Sequence, residues 1–158
     1  MNWQEVCEHP SLKDLPFKIE LNEYGQVVMS PVKVYHSAFQ GEIEHLLRCH
    51  LPNGKTLPEC AIATEQGTKV ADVAWISPER FKEVRDETEC SIAPEICIEV
   101  ISASNSAGEI KKKMNLYFKQ CAQEFWFCDK NGNMSFYDPN GPLANSNLAP
   151  NFPARIDL

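Results

Sequence analysis

The chain has 158 residues, enough for about one domain, and a domain of that size folds without needing disulfides or a structural metal. Hydrophobic residues make up 43% and charged residues 23%, and no apolar run approaches the ~20 residues that cross a bilayer, which sets a membrane-spanning role aside. Fifteen basic against twenty-two acidic residues leave a net charge of −7; that excludes general coating of nucleic acid by a basic surface, although a local basic patch beside a carboxylate-bound metal can still draw in a phosphate.

Residues 1–16 read as an N-terminal extension, a loop or short helix ahead of the fold. Phe17 to Leu21 and Gln26 to Met29 flank Asn22-Glu23-Tyr24-Gly25, a hairpin signal in which Gly25 supplies the positive φ of a tight turn. Ser30-Pro31 ends the second strand. Phe39, Ile43, Leu46, Leu47 and His50 recur at helical spacing and predict a helix over 35–50, stopped by Pro52-Asn53-Gly54. His36, Gln40 and Glu44 follow one edge of its apolar stripe. Three strands come next: Ala61 to Thr64, Lys69 to Ile76, and Pro94 to Ser102. The last is an almost unbroken apolar run of the kind covered on both faces. The charged segment 79–93 reads as a short helix and a loop.

Ser106-Ala107-Gly108-Glu109 fits a capping box and opens a helix over 106–121, with Ile110, Met114, Tyr117, Phe118 and Cys121 on its buried side. Phe125 to Cys128 and Met134 to Tyr137 are strands about a turn at Asp129-Lys130-Asn131-Gly132. From Pro139 onward, dense Pro, Asn and Gly predict loop. The order ββ-α-βββ-α-ββ is that of an α/β (α+β) domain, a mixed central β-sheet flanked by helices, over residues 17–137, with a loop-rich tail at 138–158. The seven cysteines are odd in number, lack C-x-x-C spacing and sit partly in apolar runs. They read as reduced thiols of a cytoplasmic protein, not as a disulfide frame or zinc site.

Two acids break the apolar pattern. Glu99 sits inside PEICIEVIS, where an ionised carboxylate is costly unless paired or metal-bound. Alternation puts Ile96, Ile98 and Val100 on one face of that strand and Glu95, Cys97, Glu99 and Ile101 on the other. Asp72 repeats the pattern in VADVAWI, although aspartate is a poor strand former. On neighbouring strands the two can share one hard cation, the way Mg2+ is usually held. Lys113, on the next helix and four residues before Tyr117, is long enough to reach back over the strand end and offset developing negative charge. Each has a plainer reading. Glu99 can cap backbone amides, Asp72 can be a strand-end turn residue, and a lysine in the run Lys111-Lys112-Lys113 is by default solvated. Tyr117 and Trp126 read as core before base-stacking platforms, and His36 as a helix-start residue before a base in the cleft. Lys33, Lys69, Lys111 and Lys112 are candidates for a phosphate backbone. No Gly-x-Ser-x-Gly elbow, His-Glu-x-x-His or Gly-rich phosphate loop is present.

The segments VADVAWIS (70–77), PEICIEVISASNSAGEIKKKMNLYF (94–118) and EFWFCD (124–129), with IELNEYGQVVMSPVKVYHSAF (19–39) before them, resemble the Uma-type restriction endonuclease family of the PD-(D/E)XK nuclease superfamily. The resemblance runs from about residue 17 to 137. It implies a restriction-endonuclease-like core that cuts nucleic acid, DNA foremost, with Mg2+ (or Mn2+). Asp72 and Glu99 then stand for the two acids, the Val100 backbone carbonyl for a further metal ligand, and Glu44 for an acid some members carry on the first helix. The superfamily lysine two residues after the glutamate is Ile101 here, which makes Lys113 its migrated replacement. Small nucleases of this kind often act as homodimers, with the hydrophobic hairpin at 124–137 a candidate dimer edge. The alternative is a catalytically inactive nuclease-fold binding module for nucleic acid or protein. Departures from the family pattern are Ala71 before the first acid, Ser102-Ala103-Ser104-Asn105 after the second, and Cys121-Ala122 where a glycine is usual.

Overall fold

A mixed six-stranded sheet is the spine of the computed structural model, which describes residues 1–102 and 105–158. In chain order the elements are α1 (Trp3–Glu8), β1 (Phe17–Leu21), β2 (Val27–Pro31), α2 (Val34–His50), β3 (Lys55–Thr64), β4 (Gly67–Ile76), α3 (Pro78–Val84), β5 (Ile96–Val100), α4 (Ala107–Lys119), β6 (Glu124–Cys128), β7 (Met134–Asp138) and β8 (Gly141–Leu143). The sheet runs β3-β4-β5-β6-β7-β8. Only β5 and β6 are parallel; a parallel neighbour needs a crossover, and α4 supplies it. The expected mixed α/β architecture is the one observed.

Burial follows the alternation read along β5. Ile96, Ile98 and Val100 pack with Phe39, Ile43 and Leu47 of α2, while Cys97 packs on the opposite face with Tyr117 of α4 and Phe125. Helix α4 begins as its sequence dictates, with Ser106 Oγ accepting from the Glu109 N–H while the Glu109 carboxylate takes the Ser106 N–H. It ends at Lys119, short of the predicted Cys121; Gln120 caps it, and Cys121, with a φ of +73°, follows in the left-handed position where glycine is the easier residue.

The β1–β2 hairpin forms a separate two-stranded sheet, turning at Gly25 (φ +71°) as its sequence predicts. It docks across β4. Lys69 Nζ donates to the Leu21 carbonyl at 2.9 Å and the Val70 N–H to Glu20 Oε2 at 2.7 Å. Gly67 (φ +85°) permits this approach, since a Cβ there would lie 2.3 Å from the Asn22 carbonyl oxygen.

Three sequence expectations are corrected. The strand predicted at 61–64 is ten residues long, Lys55–Thr64; Pro58 hides it in the sequence, yet on an edge strand a missing N–H costs little. The tail is not loop alone. It adds β8 and buries Ala149, Phe152 and Ile156 in the core. The hairpin at 124–137 is consequently no exposed dimer edge: β8 covers β7, and Trp126 and Phe136 pack internally against Phe152.

Candidate active site

Register places the two acids. Val73 pairs with Ile98 and Trp75 with Ile96 across antiparallel β4 and β5. One step further, the same register sets Asp72 opposite Glu99, and opposed residues of a ladder share a face. Both side chains are buried, at 2% and 8% exposure. Each is anchored by the protein through one oxygen. Asp72 Oδ2 accepts from the Val100 N–H at 2.8 Å and lies 3.2 Å from His36 Nε2. Glu99 Oε1 accepts from the Tyr117 hydroxyl at 2.9 Å and from Lys113 Nζ at 2.9 Å. The remaining oxygens, Asp72 Oδ1 and Glu99 Oε2, converge on Lys18 Nζ at 2.9 and 3.1 Å. Lys113 also reaches Glu20 Oε2, 2.8 Å away. Charges of opposite sign therefore alternate from Asp72 through Lys18, Glu99 and Lys113 to Glu20.

The surroundings shift these groups in different directions. Burial pushes the Glu99 carboxyl up to about 7, against the pull of Lys113 and Lys18. Burial also acts on Asp72, but the Lys18 charge and the His36 hydrogen bond outweigh it and hold that carboxyl well below the usual range. Burial would lower Lys18, yet the Glu99 and Asp72 carboxylates keep its ammonium protonated well past the ordinary lysine value. His36 is likewise drawn down by burial and raised more by the Asp72 hydrogen bond and charge. Burial and the adjacent Glu99 raise the Tyr117 phenol, so it stays a donor.

The fold thus gathers Asp72, Glu99 and Lys113 as the sequence predicts, with His36, Gln40 and Tyr117 around them. Gln40 Nε2 donates to the Asp72 carbonyl at 2.8 Å and to Glu59 Oε1 at 3.0 Å. Glu59 has a left-handed φ of +51°, so the edge strand is strained beside the acid pair. Glu44, one turn beyond Gln40, is not brought into the group: it pairs with Arg48 at 3.9 Å and is absent from the cleft wall. Within the Ser102–Asn105 segment, residues 103 and 104 lie outside the described residues. Lys18 and Glu20 escape the sequence reading. They alternate with Phe17, Ile19 and Leu21, and charges on one face of a hairpin strand read as solvent-facing. Only docking of the hairpin on β4 turns that face inward.

The acids open into a cleft of about 820 Å3 that Lys33, Lys69 and Lys112 help to line. Of the predicted phosphate contacts, Lys111 lies instead in a neighbouring hollow with Lys112 and Lys119. Mg2+ is usually bound by one or two carboxylates with waters and substrate oxygens. Asp72 Oδ1 and Glu99 Oε2 fit that description, being two hard oxygens already aimed at a single positive centre. Among the described residues no group of three His, Cys, Asp or Glu side chains is arranged to hold a metal; Val100, whose carbonyl the sequence resemblance offers as a further donor, lines the cleft.

A mixed sheet with helices on both faces and paired acids opposed at β4 and β5 is a restriction-endonuclease-like, nuclease-type architecture. A family model described as "Putative restriction endonuclease" (Uma2) matches residues 3–146, and the chain belongs to that family. The match takes in α1 and β8 as well as the span the sequence resemblance covered. The chain is similar in fold to the 1.96 Å crystal structure of "a putative nuclease belonging to DUF820" from Anabaena variabilis ATCC 29413, with a TM-score of 0.68 and 21% identity over 88% of this chain and 80% of that one. No curated protein matches.

Proposed function

We propose that the protein is a Mg2+- or Mn2+-dependent endonuclease that hydrolyses phosphodiester bonds of nucleic acid, DNA foremost. One observation carries this reading: Asp72 Oδ1 and Glu99 Oε2 converge at 2.9 and 3.1 Å on one cationic centre inside a lysine-edged cleft. Asp72, Glu99 and the Val100 carbonyl would hold the ion, which when bound polarises water and a phosphoryl oxygen. The chain's own groups supply the rest. The Val100 N–H and His36 fix one Asp72 oxygen and Tyr117 fixes one Glu99 oxygen, so the other two are oriented before substrate arrives. Lys113, held at 2.9 Å from Glu99, offsets the negative charge that grows on the phosphate. Lys33, Lys69 and Lys112 contact flanking phosphates, which position a strand without reading its sequence. The seven thiols are free, which suits a reducing cytoplasm. Two copies acting together, one per strand, complete the proposal, and light scattering of the purified protein tests that part.

The decisive experiment compares plasmid nicking by wild type, Asp72→Asn and Glu99→Gln in Mg2+ and in Mn2+. Both variants should keep the wild-type circular dichroism spectrum and lose at least about 10²-fold in rate. Cleavage at the wild-type rate by both ends the assignment.

The Lys18 ammonium, seated between the two acids at 2.9 and 3.1 Å, favours a second reading, a nuclease-fold binding module in which Lys18 permanently neutralises the acids. Under it, wild type retains labelled DNA without cutting in any divalent metal, and Asp72→Asn retains it equally.

A further inference from the structure

We propose that Lys18 is a built-in counter-cation: its ammonium fills the place between Asp72 and Glu99 and must swing out for a divalent ion to enter, so Lys18 sets the metal affinity of the site. This rests on the reading of the two acids as metal ligands.

The oxygen count points to it. Asp72 Oδ2 and Glu99 Oε1 are committed to Val100, His36, Tyr117 and Lys113. Asp72 Oδ1 and Glu99 Oε2 meet at Lys18 Nζ. Two buried carboxylates side by side repel unless a positive charge lies between them, and in the metal-free protein the ammonium is that charge. A divalent ion seated on the same two oxygens would stand where the ammonium stands, and like charges at contact distance in a site with only 10% exposure of the lysine side chain exclude joint occupancy.

Lys18 is also the lysine able to leave. It belongs to the hairpin outside the main sheet, carries a flexible four-carbon stem and borders the open cleft. A metal on Asp72 Oδ1 and Glu99 Oε2 would take both oxygens that hold Lys18, whereas Lys113 is held by Glu20 Oε2 at 2.8 Å and Glu99 Oε1 at 2.9 Å, neither of them among those two. The metal-competent state is therefore the minor one in which the ammonium has swung into the cleft, and apparent metal affinity is reduced by the fraction in that state.

The test measures Mn2+ binding to the full chain by electron paramagnetic resonance of the free ion, for wild type, Lys18→Met, Lys18→Gln and Asp72→Asn. Both Lys18 variants should bind at least about tenfold more tightly than wild type. A second measurement needs no variant to fold: amine labelling of wild type read by mass spectrometry, in which Mn2+ should raise modification of Lys18 severalfold and leave Lys113 unchanged. Equal or weaker binding by both Lys18 variants overturns the proposal, as does Lys18 labelling that Mn2+ does not raise. If Asp72→Asn abolishes Mn2+ binding while the Lys18 changes leave it unaltered, the metal site stands and the role of Lys18 falls. If the Lys18 variants bind more tightly but no protein cuts nucleic acid, the role of Lys18 stands and the endonuclease reading falls. No Mn2+ binding by any of the four proteins ends both.

Discussion

The Tyr117 hydroxyl, on a fully buried side chain of α4, donates to Glu99 Oε1 at 2.9 Å. Tyr117 has two tasks, filling the core between α4 and Phe125 and orienting one catalytic candidate. Tyr117→Phe keeps the first and removes the second. Hydrogen bonds to charged groups contribute about 1.5–3 kcal/mol, so the variant should lose stability in that range by urea unfolding. With Oε1 less firmly held, nicking should slow even though no metal-facing oxygen is altered.

Lys113 bridges Glu20 and Glu99 at 2.8 and 2.9 Å with its side chain 20% exposed. Lys113→Met leaves two mostly buried carboxylates short of a cation. Breaking a buried pair costs about 3–5 kcal/mol, and partial exposure discounts that toward the lower figure. If its charge acts mainly on the phosphate as negative charge develops, kcat should fall with KM nearly unchanged. A lysine that is merely solvated would move neither stability nor kcat, so denaturation and steady-state kinetics together separate the two roles.

Stability without metal should depend on pH through the same cluster. Folding raises the Glu99 carboxyl from 4.5 to about 7. Between those values the folded chain therefore binds more protons at this site than the unfolded chain, and stability falls as pH rises through the window. His36 acts in the same sense: its contribution is present below the ordinary 6.5 and is lost as pH rises past its higher folded value. Asp72 acts oppositely, contributing above 3.8 and losing that contribution as pH falls toward its depressed value. Urea midpoints across pH 5 to 8, a range of about three units, should decline in wild type and decline less in Glu99→Gln. A flat wild-type profile contradicts the expectation.

How much of this was legible follows from what each residue breaks. Asp72 and Glu99 show in the sequence because a carboxylate inside an apolar strand violates its surroundings, and alternation along β5 then gives the correct face. Lys113 shows because a lysine follows the acids on the next helix. Lys18 and Glu20 violate nothing: in a five-residue hairpin strand they look like an ordinary wet face. Their meaning depends on tertiary docking, for which Gly67 leaves room. Strand β3 was hidden by Pro58, acceptable only because β3 is an edge. Phe152 and Ile156 were hidden because single apolar residues among turn formers have no period to detect.

Glu124 gave no sequence signal either, yet it ties the tail to the sheet. Its side chain is 2% exposed. Oε2 accepts from Trp126 Nε1 at 2.7 Å and Ser146 Oγ at 2.7 Å, and Oε1 from the Asn147 and Leu148 N–H groups at 2.8 and 3.0 Å. No cation is shown pairing with it among the described residues, so neutral donors from β6 and the tail satisfy the carboxylate. Glu124→Ala would leave the buried Trp126 and Ser146 donors without their acceptor, and each orphaned buried group costs about 1–3 kcal/mol, whereas the Asn147 and Leu148 N–H groups lie nearer the surface. Relaxation of the tail limits the sum, so we expect a loss of at least about 3 kcal/mol, which for a chain of this size lowers Tm by roughly 6–12 °C. Scanning calorimetry measures that shift. Because Glu124 lies away from the acid pair, residual nicking per folded molecule should match wild type, and limited proteolysis should cut first within 144–158. A Tm within a degree or so of wild type would mean the tail is held by its buried apolar residues and its backbone hydrogen bonds to Gly132 and Met134.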